Sequence, residues 1–461
     1  MRVFYSSRRQ AQSVEAEIKA AGTMKSILFA QKVDPCVGLF GKFMTAFSKR
    51  PDFHNVNVTV GVNVPSFKNH AVDGQSHRSA KVSNIIAATD ADVMCEVDPT
   101  TMEPISFPKQ SRFHPDLKGP LAAAHGKTDP KTGDYINFNL DLGKDSVYRV
   151  FRVSAATGKT DILATIPVAK AAYIHSFFLT ENYVVLCLPV AFYEWKGLKM
   201  LWEGNMKDSM KPFDPTESCR WFVIDKKNPG GEGVVAEFAS PARFFFHSVN
   251  AFEDEKTGDI VCEVVDYPNR YIIDGYYYDV ILDRNGKAAE FWSDGQQAHR
   301  SFPRLTRYLL RKKDFVAKPK AGSNIPAPEI VLEIKAPHAG DMPVINPDYR
   351  CKRHRYGYFL TSRGLSTLFD CIIKVDTETR ELLRWEGPKG HTPGEAIFVP
   401  RPAMDGEVLD EDDGVLLSVV LDGANRKSYL LCLDAKTMTE LGMAECEFAV
   451  AIGLHGKHVA A

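Results

Sequence analysis

One turn chemistry recurs along this chain, and each copy stands between two runs of residues with high β propensity. An Asp or Ala is followed by Thr two or three positions later, and then in most copies by Gly. Glycine permits the positive φ of a tight turn, and Asp and Thr side chains bond the local backbone, so each copy predicts a β-hairpin. The copies occupy residues 129–134, 155–159, 254–259, 376–380 and 434–438.

Recurrent hairpins with few long helices between them indicate an all-β fold. They favour a β-propeller, in which small antiparallel sheets are arranged as blades around an axis. A large sandwich or barrel also contains many hairpins and remains the alternative. We expect the whole chain, residues 1–461, to form a single propeller domain.

Composition excludes some classes of function. The 57 Lys and Arg residues nearly balance the 58 Asp and Glu residues, which leaves a net charge of -1 and no general attraction to nucleic acid. The nine cysteines include no Cys-x-x-Cys pair, which is typical of a reduced, cytoplasmic setting. No run reaches the ~18 apolar residues that a membrane-spanning helix requires.

Four histidines stand beside strand-like apolar runs, although they are far apart along the chain: His125, His175, His247 and His455. A single histidine in such a setting is more often a core residue than a ligand. In a propeller, however, the inner strands of distant blades share one axis, where four neutral imidazoles would suit iron, copper or zinc. A site without thiolate or carboxylate ligands, with positions left open, favours iron(II) that activates dioxygen over a closed structural zinc site.

Acidic residues in apolar surroundings are candidates for orienting such histidines, because a metal-bound imidazole normally donates its second ring proton to an acceptor. Glu96 lies within Val93-Met-Cys-Glu-Val97, and Glu395 precedes the apolar run Ala396-Ile-Phe-Val399. Asp341 precedes Met342-Pro-Val-Ile345 and is a weaker third candidate. Single acids of this kind more often cap turns or lie at the surface.

The sequence around these residues resembles the carotenoid cleavage oxygenase family, from about residue 80 to the C-terminus. The matching segments are Ala124-His125 with the following Asp129-Pro-x-Thr-Gly, His175-Ser-Phe-Phe-Leu-Thr-Glu, Phe246-His247-Ser-Val-Asn-Ala-Phe-Glu, Ile345-Asn-Pro-x-Tyr349, Gly394-Glu-Ala-Ile-Phe-Val-Pro, Asp412-Asp-Gly-Val-Leu-Leu-Ser and Leu454-His455-Gly456.

The resemblance implies a seven-bladed propeller, with iron(II) held on its axis by His125, His175, His247 and His455 beneath a cap of loops and helices. It also implies orienting carboxylates at Glu96, Asp341 and Glu395. The implied reaction is cleavage of one conjugated C=C bond of a carotenoid or apocarotenoid by O2, which gives two carbonyl products. The protein would shape the substrate tunnel and keep the coordination site open.

The chain departs from the family pattern in two places. Asp341 stands where relatives have Glu, and because it is one methylene shorter, we expect its hydrogen bond to a histidine to be longer or bridged by water. The glycine-rich stretches that normally precede the segment resembling Val3 to Glu15 are missing, so we expect the first blade, which both chain ends close, to be incomplete.

The substrate implied by the resemblance is a long apolar polyene, which requires an aromatic-lined tunnel; Phe177 and Phe252 are the candidates because each lies near a histidine in sequence. Cleavage of a resveratrol-type stilbene is the alternative reaction, and a catalytically inactive carotenoid- or retinoid-binding propeller is the alternative class. Cys95 stands where stilbene-cleaving relatives tend to have Lys, which favours the carotenoid. Residues 190–206 mix apolar residues with Lys196 and Lys199, which fits either an ordinary half-buried excursion of the chain or a face in peripheral contact with a membrane.

Overall fold

Six antiparallel sheets succeed one another along the chain in this computed structural model, and each is a meander of four or five strands. The structure describes residues 5, 7–8, 12–21, 27–30, 56, 58–67, 82–143, 145–227, 233–293, 301–316, 324–404 and 406–459. Neighbours in sequence are neighbours in nearly every sheet, as expected where each hairpin closes locally. The predicted all-β propeller architecture is confirmed.

The first three sheets are built from thirteen strands. Sheet one contains β1 (Thr59–Val62), β2 (Ile85–Ala88), β3 (Met94–Val97) and β4 (Pro104–Ser106). Sheet two contains β5 (Leu121–Ala122), β6 (Lys127–Thr128), β7 (Tyr135–Asp141), β8 (Ser146–Val153) and β9 (Thr160–Val168). Sheet three contains β10 (Phe178–Leu179), β11 (Tyr183–Leu188), β12 (Ser218–Asp225) and β13 (Val234–Pro241).

The last three sheets follow the same plan. Sheet four contains β14 (Phe244–Glu253), β15 (Ile260–Tyr267), β16 (Arg304–Leu310) and β17 (Glu329–Lys335). Sheet five contains β18 (Asp341–Val344), β19 (Tyr356–Thr361), β20 (Cys371–Asp376) and β21 (Leu382–Glu386). Sheet six contains β22 (His391–Pro393), β23 (Ile397–Pro400), β24 (Gly414–Asp422), β25 (Lys427–Asp434) and β26 (Glu440–Cys446).

The recurrent turns connect adjacent strands, as their sequence predicts. In the turn before β7, Asp129 Oδ1 accepts hydrogen bonds from the backbone N–H groups of Lys131 and Thr132. Gly133 follows with φ +76°, a conformation that glycine adopts without strain. Asp254, at the turn between β14 and β15, bonds the backbone in the same way. The sequence motif is therefore a hairpin device that closes one blade after another.

Helices are short and lie between strands. The α-helices of the described residues span Gln12–Ala21, Leu198–Glu203, Tyr278–Ile281 and Lys287–Ser293. The 3-10 helices span Gln110–Arg112, Glu194–Gly197, Lys207–Ser209, Tyr271–Tyr276, Arg284–Gly286, Lys312–Asp314 and Pro347–Tyr349. The ring of Tyr276, at the end of one of these, lies 5.4 Å from that of Phe246, next to His247. A helical segment therefore packs close to the histidines, which fits the expected cap.

The number of blades differs from the prediction. The described residues form six sheets, one fewer than the predicted seven. Sheet one has all four of its strands. Among the described residues before Thr59 and after Cys446, none lies in a strand, so these residues supply no ladder for a seventh sheet. That the blade closed by both chain ends is incomplete stays a prediction. The segment after β26 instead runs as irregular chain and carries His455.

Buried apolar side chains connect the sheets. One cluster extends without a break from Leu121 in sheet two to Val375 in sheet five, and a second joins sheets five and six around Tyr358 and Leu431. Adjacent blades thus bury their faces against each other, as expected in a propeller. The assignment of all 461 residues to one domain remains a prediction that this continuity favours.

Candidate metal centre

The four histidines lie at places where the regular strand pairing of the innermost strands is interrupted. His125 falls between β5 and β6, which both pair with β7. His247 lies in β14 where its register against β15 shifts. His175 precedes β10, and His455 lies in the segment after β26. A bulge or break re-aims a side chain that regular pairing would hold on the sheet face, so these interruptions direct the imidazoles toward the axis.

Close contacts at two glycines accompany two of the histidines. A Cβ atom at Gly126, beside His125, would lie 2.3 Å from Tyr135 Oη, at the end of a side chain. A Cβ atom at Gly394 would lie 2.7 Å from the backbone carbonyl oxygen of Gly453. Only glycine fits so close to backbone, so the absence of a side chain at Gly394 lets the C-terminal segment pass close to the sixth sheet and deliver His455.

The four imidazoles meet at one point. Nε2 of His125 lies 3.1 Å from Nε2 of His175 and 3.0 Å from Nε2 of His455. The ligand nitrogens of all four, including His247, lie within 4.8 Å of one another. Two imidazoles that bind one metal at right angles, with bonds of about 2.1 Å, have their nitrogens about 3.0 Å apart. The spacing thus suits a single ion.

A carboxylate accepts a hydrogen bond from the second ring nitrogen of three of the histidines. Nδ1 of His247 lies 2.7 Å from Asp341 Oδ1, and Nδ1 of His455 lies 2.9 Å from Glu395 Oε1. Nδ1 of His175 lies 2.9 Å from both oxygens of Asp90. Carboxylates only accept hydrogen bonds when ionised, so each of these Nδ1 atoms carries the proton.

The protonation pattern has a direct consequence for the Nε2 atoms. With the proton on Nδ1, Nε2 of His175, His247 and His455 presents a bare lone pair. Nε2 of His247 is buried and has no hydrogen-bond partner. Three lone pairs aimed at one another repel unless a cation lies between them. The donor set therefore fits a bound metal ion.

The electrostatics of the site favour neutral imidazoles. Burial lowers the pKa of His125 well below its usual value, and the three neighbouring histidines lower it further. Burial likewise lowers the pKa of His247, although the Asp341 carboxylate acts in the opposite direction. A metal ligand must be the neutral imidazole, so burial keeps these two ligands ready to bind.

Asp341 forms a direct contact where the sequence predicts a longer or water-bridged one. Its Oδ1 lies 2.7 Å from His247, and its Oδ2 accepts a hydrogen bond of 2.6 Å from the Tyr267 hydroxyl. The register of β18 shifts after Asp341, and Met342 has φ +55°. This irregular backbone brings the shorter side chain within reach. Burial opposes ionisation of Asp341, but His247 and Tyr267 outweigh it and hold its pKa below the usual value.

Asp90, and not Glu96, is the carboxylate partner of His175. Glu96 lies in β3, and its Oε2 accepts a hydrogen bond of 2.7 Å from the Ser106 hydroxyl on the adjacent strand. Asp90 also accepts a hydrogen bond of 2.8 Å from the Tyr173 hydroxyl. Tyrosine thus supports both Asp90 and Asp341. Asp90 stands in the polar sequence Thr-Asp-Ala-Asp, which is typical of a turn, and its position just after an apolar strand is the one signal that could have found it.

A cavity of about 540 Å³ adjoins three of the four histidines, His125, His247 and His455. At least one strand of each sheet contributes lining residues, among them β1, β6, β10, β14, β18 and β23, so the cavity lies on the axis of the propeller. Phe177 is among the lining residues and Phe252 is not. Phe252 is buried instead beneath the guanidinium of Arg353, 5.7 Å from the ring centroid. It remains a tunnel residue only by prediction.

The fold and the site together define a β-propeller with a candidate metal centre of four histidines on its axis. The family model described as retinal pigment epithelial membrane protein (RPE65) matches residues 1–460, and the chain belongs to that family. The relationship predicted from the sequence is thereby confirmed.

Curated relatives support the assignment. The chain is 45% identical to a carotenoid dioxygenase of Neurospora crassa, over 99% of this chain and 78% of the relative. It is 44% identical to a torulene dioxygenase of Fusarium fujikuroi, over 100% of this chain and 81% of the relative. Among solved structures, cobalt-substituted ACO of Synechocystis superposes with a TM-score of 0.69 at 19% identity, covering 96% of this chain and 81% of that one. The likeness to the Synechocystis structure shows that the two chains share a fold.

Proposed function

We propose that this protein is a non-haem iron(II) dioxygenase that cleaves a conjugated C=C bond of a carotenoid or apocarotenoid with O2, giving two aldehyde or ketone products. The observation that carries the proposal is the convergence of four imidazoles beside a cavity. The relatives named carotenoid dioxygenase and torulene dioxygenase, at 45% and 44% identity, support the dioxygenase class and a polyene substrate.

His125, His175, His247 and His455 would hold the iron. Bound there, iron(II) would supply the one-electron chemistry that lets O2 react with a polyene. No thiolate or carboxylate belongs to the proposed ligand set, so the ion would keep its full charge and an open position for O2.

The chain's own residues would orient the ligands and shield the reaction. Asp90, Asp341 and Glu395 hold the protons on Nδ1 of three histidines, and each Nε2 is thereby fixed as a donor to the ion. Phe246, which packs edge-on against the His175 ring at 5.7 Å, and the neighbouring Tyr276 exclude water from one side of the centre.

Product analysis tests the proposal. Iron-loaded protein would be incubated separately with torulene, β-carotene, an apocarotenal and resveratrol, and the carbonyl products identified by mass. We expect aldehydes from a carotenoid or apocarotenoid. Cleavage of resveratrol alone would assign the stilbene reaction instead, and purified protein without stoichiometric iron or turnover would indicate a binding protein.

Two histidine variants form a matched pair for this assay. His247→Ala should abolish cleavage, because it removes one of the four imidazoles. His114→Ala should retain cleavage, because His114 belongs to a partly exposed turn where it contacts Asp116. Full activity of the His247→Ala variant would remove His247 from the ligand set and with it the proposed centre.

We further propose that the protein associates peripherally with membranes, from which it would collect its apolar substrate. Trp195, Leu198 and Leu201 are 56%, 64% and 37% exposed, and they lie in one short helical segment. Lys196 and Lys199 flank them. An exposed apolar edge with basic neighbours suits the headgroup region of a bilayer. No helix among the described residues is long and apolar enough to cross a membrane. A cytoplasmic setting remains a prediction.

Vesicle binding tests this second proposal. The double variant Trp195→Ser/Leu198→Ser should sediment less with anionic phospholipid vesicles than the unchanged protein. Leu441→Ser is the control, because Leu441 is 59% exposed on β26, away from this segment. Equal loss of binding in both variants would contradict a specific membrane edge.

A further inference from the structure

Three basic side chains line the axial cavity beside the histidines. Lys127 lies on β6, Arg350 follows the 3-10 helix Pro347–Tyr349, and Lys457 lies in the segment after β26. They come from different parts of the chain, and the fold brings all three to one cavity. Metal coordination by the four imidazoles does not use any of them.

None of the three has a carboxylate partner among the residues that the structure describes. No Asp or Glu oxygen of that part of the chain lies within 4.0 Å of their nitrogens. Lys127 Nζ donates a hydrogen bond of 3.0 Å to the Ser248 hydroxyl, which is neutral. Glu395 is the one carboxylate among the described lining residues, and its oxygens accept from His455 Nδ1 and Gly456 N.

The three side chains bring like charges into one cavity. Like charges that share a cavity destabilise each other, and a divalent metal ion at the histidines would add to the positive potential.

Arg350 and Lys457 have side-chain surface open to solvent, and both line the cavity. The cavity has a volume of about 540 Å³ and can admit a small ligand. A guanidinium presents parallel N–H donors that match the two oxygens of a carboxylate or another oxyanion.

We propose that the axial cavity is an oxyanion-binding site, in which Arg350, Lys457 and Lys127 hold a carboxylate or an inorganic oxyanion next to the metal centre. The Ser248 hydroxyl, already bonded to Lys127, fixes the lysine on one side of the site. The bound anion offsets the positive charge of the three side chains and of the metal. This inference goes beyond the proposed function and concerns a ligand other than the polyene.

Calorimetric titration tests the site. Iron-loaded protein is titrated with sodium sulfate and, separately, with sodium acetate, as an inorganic oxyanion and a carboxylate. Arg350→Gln should weaken binding about ten- to hundredfold, the effect of losing a charge-assisted hydrogen bond. Lys335→Gln is the matched control, because Lys335 is a largely exposed lysine on β17 and should leave binding unchanged.

Thermal unfolding separates an anion site from a structural role for Arg350. In anion-depleted buffer, Arg350→Gln should unfold at the same temperature as the unchanged protein or higher, because it removes repulsion. Added sulfate or acetate should raise the unfolding temperature of the unchanged protein and not that of the variant. A lower unfolding temperature of the variant in anion-depleted buffer would indicate a structural arginine and overturn the proposal.

Each outcome of the titration decides the matter. Binding of sulfate that depends on Arg350 assigns an inorganic oxyanion, and binding of acetate alone assigns a carboxylate. Absence of binding would overturn the proposal. Binding that is unchanged in the Arg350→Gln protein would also overturn it, because such binding would involve the metal itself. Anion binding in a protein that fails to cleave any polyene would refute the proposed function and leave this inference standing.

Discussion

Replacement of Asp90 by Asn tests how the metal centre is held together. Asp90 accepts hydrogen bonds from His175 Nδ1 at 2.9 Å, the Tyr173 hydroxyl at 2.8 Å and the backbone N–H of Ala124 at 3.1 Å. It therefore orients one ligand directly and fixes the backbone beside a second, His125. The variant keeps the size of the side chain but loses its charge and turns one acceptor oxygen into an NH2 donor that faces other donors.

The magnitude follows from the lost interaction. A hydrogen bond to a charged group contributes about 1.5–3 kcal/mol. Loss of an acceptor behind a metal-bound histidine typically lowers metal affinity about 10–100-fold, which corresponds to about 1.4–2.8 kcal/mol. The two ranges agree, so we expect the Asp90→Asn protein to bind iron(II) about 10–100-fold more weakly than the unchanged protein.

The assay is an anaerobic competition between the protein and an iron(II) chelator, with circular dichroism to show that the variant is folded. Glu96→Gln is the control, because Glu96 is a buried carboxylate on β3 that accepts a hydrogen bond from Ser106 and bonds none of the four clustered histidines. Its iron affinity should be unchanged. Equal affinities for the Asp90→Asn and unchanged proteins, or a loss in Glu96→Gln as large as in Asp90→Asn, would refute the reasoning.

Three further predictions concern the aspartate–tyrosine pair, the turns and a buried ion pair. Tyr267→Phe removes the hydroxyl that bonds Asp341 Oδ2, and should lower iron affinity by less than the Asp90→Asn change, measured in the same competition. In Gly258→Ala the new Cβ would make only an ordinary contact of 3.9 Å with Lys312 Cγ, but Gly258 has φ +70°, so the variant should destabilise the fold by about 1 kcal/mol in urea unfolding. Burial alone would raise the pKa of Glu263, but the charges of His354 and Arg307 outweigh burial and lower this pKa to about 2. An acid whose pKa is lower in the folded protein stabilises the fold above its unfolded pKa, so about 3 kcal/mol of the free energy of unfolding should be lost as pH falls from about 4.5 to 2. A free energy of unfolding that is unchanged over this range would contradict the prediction.

The family relationship, the dioxygenase class and the propeller architecture could all be predicted from the sequence. The hairpins were predictable because their chemistry is local: Asp129 bonds N–H groups two and three residues ahead, and Gly133 takes a positive φ that few other residues adopt. The candidate histidines stood out because each lies beside an apolar run, and radial folds bring such runs together.

Only the tertiary structure decided which carboxylate serves which histidine. Asp90 and His175 are 85 positions apart, and the polar sequence around Asp90 resembles an ordinary turn. Glu96 stands in an apolar strand but accepts a hydrogen bond from Ser106 instead. Alternation along a strand predicts which face a residue occupies, but not what a neighbouring blade places opposite it.

The tertiary structure also decided the contact of Asp341 and the charge of the cavity. Side-chain length predicts a long contact for Asp341, but the irregular backbone of β18 shortens it to 2.7 Å. Lys127, Arg350 and Lys457 are more than a hundred residues apart from one another in the sequence, and nothing in their local sequence distinguishes them from other basic residues. Their shared cavity arises from blade packing, because the positions that meet on the axis depend on how six sheets are arranged and not on any local pattern.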